Sequence, residues 1–193
     1  SSTETINSNG ILNASIGLIE NPSCWNYCDG QIEASVTGGV PNINGSGNTM
    51  YNYQWDDQLS QITQNAIGLC IDNISNSQTF TCVITDALGC MITVSQTLTQ
   101  PDKLEVDLNQ TSEVLCFGGN EASLSASISG GNPGAVTYIW NTGQSNPSPS
   151  LNNLSAGTYV VVAQDSEGCM DTTNYIINEP MLLEANILNT NIL

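Results

Sequence analysis

One phrase is written twice in this chain. FTCVITDALGC (80–90) and YVVVAQDSEGC (159–169) share an aromatic start, alternating apolar residues, and then Asp, two residues, Gly and Cys. Asp86 and Asp165 lie 79 residues apart, as do Cys90 and Cys169, and the match runs on to Pro101 and Pro180. Upstream the spacing widens. Trp55 of YNYQW and Trp140 of VTYIW are 85 apart, while ASVTGGVP (34–41) and ASISGGNP (126–133) are 92 apart, as are Cys24 and Cys116. Internal repeats are the first thing to seek in a sequence, and self-similarity at this spacing restricts the chain to tandem copies of one small module. The first copy carries two additions, one between Pro41 and Tyr53 and one between Trp55 and Phe80. LNASI (12–16), LEVDL (104–108) and LEANI (183–187) open successive copies, so the chain reads as two copies and the first strand of a third. The expected boundaries are a leader over 1–11, one repeat over 12–101, a second over 102–180, and a linker with a following strand over 181–193. By this reading the chain is a slice of a longer array, and with no basic leader it is a mature or excised piece.

Within a copy, apolar residues alternate at Leu104, Val106 and Leu108, at Leu124, Ala126 and Ile128, and at Tyr159, Val161 and Ala163. Period two marks strands with one buried face. Gly130-Gly131-Asn132-Pro133, Asn141-Thr142-Gly143 and Glu167-Gly168 punctuate them as turns. No segment has helical periodicity. Short strands at this spacing predict an all-β chain of two tandem immunoglobulin-like β-sandwich domains, joined by a short Pro-containing linker. Trp55 and Trp140 fall on the third main strand, where their bulk belongs to the core. Tyr159 follows a turn and is placed to close a tyrosine corner; Phe80, its counterpart, lacks the hydroxyl.

Seven cysteines without zinc-type spacing predict disulfides and an oxidising compartment. In the second copy Cys116 and Cys169 stand alone and are expected to pair, with Cys24–Cys90 as the equivalent bond in the first. Cys82 aligns with inward-facing Val161. Its expected partner is Cys70, with Cys28 as the competitor. Cys24 and Cys28 resemble half a zinc site whose other half is missing.

Composition closes several functional classes. Eighteen acidic residues face one basic residue, Lys103, with no Arg and no His, for a formal charge of −17. Phosphate recognition runs on Lys and Arg, so nucleic acid is excluded as a partner, as are anionic membrane surfaces. No apolar run approaches the roughly 18–20 residues of a membrane helix, so no membrane insertion is expected. Without His there is no nucleophilic triad, and without Arg no phosphate clamp. The remaining catalytic option is a carboxylate pair at Asp56-Asp57, at a strand end where polar residues are ordinary. Asp86 and Asp165, joined by Asp57 or Asp72, are the candidates for calcium; the alternative is that the two hairpin aspartates cap their own turns. No other cofactor is expected.

CFGGNEASLSASISGGNP (116–133), YIWNTGQ (138–144), LSAGTYVVVAQDSEGC (154–169) and INEP (177–180) resemble the SprB repeat, which occurs in very long cell-surface adhesins of gliding bacteria. The first copy departs from that pattern at Trp25-Asn26-Tyr27 and in its added loops. The resemblance implies immunoglobulin-like sandwiches in tandem, export by the type IX route, and display on the outer cell surface in a filament that serves gliding. Three functions follow as expectations. One is a non-catalytic, disulfide-stapled stalk segment whose partners are neighbouring repeats of the same chain, the fragment itself being monomeric. A second is a module for surface polysaccharide or substratum that uses Tyr51, Tyr53, Asp56 and Asp57 of the added loops. The third is a two-carboxylate hydrolase, which the sequence favours least.

Overall fold

The structure is a computed structural model and describes residues 10–43, 49–143, 145–146 and 148–185. The chain divides into two compact units, 1–102 and 103–193. The first contains β1 (Asn13–Glu20), β2 (Gly30–Thr37), β3 (Asn42–Ile43), β4 (Thr49–Met50), β5 (Asn52–Trp55), β6 (Asn65–Leu69), β7 (Ser77–Thr85) and β8 (Met91–Thr99). The second contains β9 (Glu105–Ser112), β10 (Ala122–Ser129), β11 (Thr137–Trp140), β12 (Ser145–Asn146), β13 (Ser150–Leu154), β14 (Gly157–Gln164) and β15 (Met170–Ile177). No helix occurs among the described residues. The strand expected over 183–187 does not pair within 181–185, and the rest of it lies outside the described residues.

Each unit is an immunoglobulin-like sandwich of two antiparallel sheets. In the first, β1-β2-β6 faces β5-β7-β8. In the second, β9-β10-β13 faces β12-β11-β14-β15. Terminal strand β1 also packs along β8, and β9 along β15. The alternation seen in the sequence is the alternation of burial. Ile32 and Ala34 of β2 point inward with Cys82 and Ile84 of β7; in the second unit Leu124 and Ala126 meet Val161 and Ala163. The two cores share no residue. Trp55 and Trp140 are both buried, as their strand position requires. Trp55 Nε1 donates to Thr63 O at 2.9 Å, an acceptor supplied by the second addition of the first copy. Tyr159 Oη donates to Ser155 O at 2.9 Å, closing the tyrosine corner that Phe80 cannot make.

The doubled phrase is a hairpin repeated in register. Gln78 pairs with Leu98 and Gly157 with Ile177, and Cys82 with Val94 as Val161 with Thr173. The first addition folds into the ribbon β3–β4, with Asn42 opposite Met50.

The fold gives each unit two poles. At the entry pole, the chain leading into the first strand meets the Gly-Gly turn and the tip of the long hairpin. In the first unit Gly39 N–H donates to Gly10 O at 2.7 Å and Ala87 N–H to Val40 O at 2.7 Å. At the exit pole, the end of the last strand meets the turn that follows the first. Thr99 N–H donates to Asn21 Oδ1 at 2.9 Å.

Candidate functional site

At the entry pole one aspartate organises three segments. Asp86 Oδ1 accepts N–H groups from Leu88 and Cys90, both at 2.9 Å, and Oδ2 accepts from Val40 at 3.0 Å. Asp165 repeats the arrangement: Oδ1 accepts from Glu167 at 3.0 Å and Cys169 at 2.9 Å, and Oδ2 from Asn132 N–H at 2.8 Å and Nδ2 at 3.2 Å. Gly89 and Gly168 complete the tips at φ 83° and 89°, a left-handed conformation that side chains disfavour. The Gly-Gly turn is fixed for a related reason. A Cβ on Gly131 would come within 2.8 Å of Leu104 Cδ1 and 3.1 Å of Asp165 Oδ2, and Gly39 is equally enclosed by Leu12 and Asp86.

Hydrogen bonding governs how these carboxylates titrate. The Val40 N–H is the largest influence on Asp86, and with Cys90 and Leu88 it outweighs burial and holds the carboxyl below its usual range. For Asp165 burial is the largest influence and opposes ionisation. The donors from Asn132, Cys169 and Glu167 together overcome it, so this group also titrates low. Of the two readings of the hairpin aspartates, the geometry is that of turn caps: their oxygens are spent on N–H donors. The other calcium candidates lie elsewhere. Asp72, near the exit pole, accepts from the N–H groups of Ser75 at 2.8 Å and Ile74 at 3.0 Å and is held low by them. Among the described residues no three His, Cys, Asp or Glu side chains converge as metal ligands would.

The Asp56-Asp57 pair is likewise structural in its contacts. Asp56 Oδ1 accepts the Thr81 N–H at 2.8 Å. Asp57 is buried and accepts from Leu59 N–H at 3.0 Å, Gln61 N–H at 2.8 Å and Gln61 Nε2 at 3.0 Å. Burial is the largest influence on Asp57, yet these bonds win and its carboxyl is lowered. A general acid needs the opposite shift. The four residues expected to form one ligand surface are divided. Tyr51 and Tyr53 line a groove of about 430 Å³ with Met50, Ile62 and Gln64, and neither aspartate reaches it. Tyr51 Oη donates to Gly38 O at 2.7 Å, and burial, the largest influence on Tyr53, raises its hydroxyl above the ordinary range.

The cysteines depart from expectation. Cys28 and Cys70 form a disulfide with Sγ–Sγ 2.00 Å, while Cys82, Cys90 and Cys116 carry free thiols. The expected bonds Cys24–Cys90, Cys116–Cys169 and Cys70–Cys82 are therefore not made. Register explains the outcome. Gly30 of β2 pairs with Leu69 of β6, which sets Cys28 beside Cys70 at one end of one sheet. Cys82 lies in the opposite sheet, fully buried beside Trp55, and burial pushes its thiol up to about 11. Cys90 and Cys169 sit at entry poles, Cys24 and Cys116 at exit poles. The nine residues of β8 and the eight of β15 separate them, roughly 25–30 Å at strand rise. A disulfide needs Cα atoms about 4.4–6.8 Å apart.

Two residues that sequence reasoning passed over organise the exit poles. Gln100 is buried; its Oε1 accepts the Asn26 N–H at 2.8 Å and its Nε2 donates to Asp72 O at 3.0 Å and Ser75 O at 2.9 Å. Glu179, at the same place before the repeated proline, accepts the Gly118 N–H at 2.6 Å. Each reaches the residue two beyond the exit-pole cysteine. The available signal was the recurring Gln/Glu-Pro at the common spacing.

Comparison with known proteins gives one family match: residues 108–145 match the family model of the SprB repeat. No curated protein matches significantly. Among solved structures, the chain is similar to a C-terminal fragment of intimin in complex with the intimin-binding domain of its translocated receptor. That similarity has 11% identity and a TM-score of 0.47, covering 84% of this chain and 64% of that one. The D00-D0 domain of intimin is similar at 16% identity and a TM-score of 0.40, over 86% and 100%. The amphioxus IgVJ-C2 molecule is similar at 16% identity and a TM-score of 0.32, over 66% and 87%.

Proposed function

We propose that this chain, whose second unit carries an SprB repeat, is a non-catalytic segment of a very long cell-surface adhesin. It is a disulfide-stapled stalk that serves surface attachment and gliding after export by the type IX route. Its partners are neighbouring repeats of the same polypeptide. The observation that carries this reading is the repeat match at 108–145, inside a sandwich whose hairpin, poles and capping residues recur in the first unit. Short joints at Gln100-Pro101-Asp102-Lys103 and Glu179-Pro180-Met181-Leu182 suit an extended array, since they hold a stiff Pro and no Gly. No helix of the described residues is long and apolar enough to cross a membrane. The test is antibody against this chain applied to intact and permeabilised cells, beside an in-frame deletion of the segment. Labelling of intact cells and impaired gliding are expected; labelling only after permeabilisation overturns the reading.

A second reading has one observation in its favour. The Tyr51–Tyr53 groove belongs to the first unit, is bordered by its added ribbon, and offers aromatic faces beside the Gln64 amide, a chemistry suited to polysaccharide. A pull-down on surface polysaccharide with the chain and its Tyr51→Ala variant tests this. Retention that the variant loses supports it, and equal or absent retention removes it.

A further inference from the structure

Each unit presents one cysteine at each pole: Cys90 and Cys24 in the first, Cys169 and Cys116 in the second. None can reach the other cysteine of its own unit, because a full strand lies between them. A pattern that places two thiols at opposite ends of a module, in both copies, serves bonds made outside the module. Cys24 and Cys169 are buried and each is engaged in a disulfide, so an exit-pole cysteine and an entry-pole cysteine are both competent for oxidation. Cys116 and Cys90, the equivalents of these two, are exposed free thiols.

Exposed apolar side chains flank both free thiols, and at Cys116 two carboxylates stand beside them, Glu121 on the Leu115 N–H at 3.5 Å and Glu179 on the Gly118 N–H at 2.6 Å. Leu88 and Met91 flank Cys90 and are 73% and 72% exposed; Leu115 and Phe117 flank Cys116 and are 71% and 55% exposed. Large apolar side chains grouped on a module's end are what a covered interface leaves behind when it is uncovered. Their loops are held in place. The Asp86 cage fixes the Cys90 N–H, and Glu179 fixes Gly118, two residues past Cys116. Cys82 is different: it is buried in the core and faces no pole.

We propose that Cys90 and Cys116 are the two halves of a junction staple. Cys90 of one copy of this chain bonds Cys116 of another, and the apolar residues flanking each pack around the bond. The chemistry balances simply. Two thiols form one S–S bond and lose two protons and two electrons. The electrons reduce the disulfide of a thiol–disulfide oxidoreductase, or glutathione disulfide, to two thiols. A head-to-tail contact of this kind is heterologous, each copy offering a different half at each end. The inference takes its meaning from the stalk reading, while its test is independent of it: failure here leaves the surface-labelling result untouched.

The test uses the full chain at about 1 mM, near the effective concentration a short linker provides, in a glutathione redox buffer. Wild type is expected to give a ladder of covalent multiples on non-reducing electrophoresis. Cys90→Ser alone and Cys116→Ser alone are expected to remain monomeric, and their mixture to give a covalent dimer. Peptide mapping of that dimer should find Cys116 joined to Cys90 and no bond to Cys82. If either variant alone dimerises as readily as the mixture, or if no covalent species forms, the staple is overturned.

Discussion

Asp165 receives four hydrogen bonds on two oxygens, from the hairpin tip and from the Gly-Gly turn, and so ties together two segments that the chain brings from far apart. Its removal takes the acceptor from these donors, the buried Cys169 N–H among them. Asp165→Ala should therefore destabilise the second unit by about 2 kcal/mol, the range for bonds to a charged acceptor, read as a lower melting temperature by circular dichroism. Acid should act in the same direction. The folded-state carboxyl titrates below its unfolded value of about 3.9, so its contribution is complete above that pH and disappears as pH falls through the folded value. Denaturant melts between pH 7 and pH 2.5 should lose stability below about pH 4, and Asp165→Asn should flatten that acid limb. An Asn variant as acid-sensitive as the wild type would remove this aspartate from the account. The role was partly visible in the sequence, because Asp-x-x-Gly-Cys in two hairpins matches a turn cap. The donors from Val40 and Asn132 were not visible, because they depend on how the Gly-Gly turn folds over the tip.

At the scale of elements, alternation and turn chemistry carried far. They specified strands, the repeated hairpin and the tyrosine corner of Tyr159, while the register of the hairpin came from the structure. They did not specify bonding between cysteines, and Cys116 and Cys169 show why. Counting residues finds two lone cysteines in one copy, but which end of the sandwich each occupies depends on strand direction and length. The same limit divided Tyr51 and Tyr53 from Asp56 and Asp57. Neighbours in sequence around a strand end turn to different faces, and each aspartate found local N–H groups. The Cys28–Cys70 bond fastens the loop before β2 to the segment after β6, across 42 residues. In the chain-entropy description such a bond contributes about 4 kcal/mol. The double variant Cys28→Ser, Cys70→Ser should lower the melting temperature of the first unit and leave that of the second in place. Calorimetry showing no change in either would mean that the bond fastens strands already held by their ladder.

For the whole molecule, two cores without a common residue imply damage that stays local. Leu124 is fully buried in the second unit. Leu124→Ala should cost that unit about 2–5 kcal/mol, while Ile32 and its neighbours continue to define the first. Hydrogen exchange followed by peptide is the direct readout: faster exchange in 103–185 with unchanged protection in 10–102. Spread of the effect across both ranges would show a cooperative unit larger than one sandwich.

The separation of entry and exit poles has a mechanical consequence. In each sandwich the first and last strands run in the same direction, from entry to exit, so tension applied through the termini acts along the axes of β1 and β8, or of β9 and β15. Ladder hydrogen bonds lie perpendicular to those axes. They are loaded in shear, many at once, rather than peeled one after another. A module strung this way yields only when a whole strand slips.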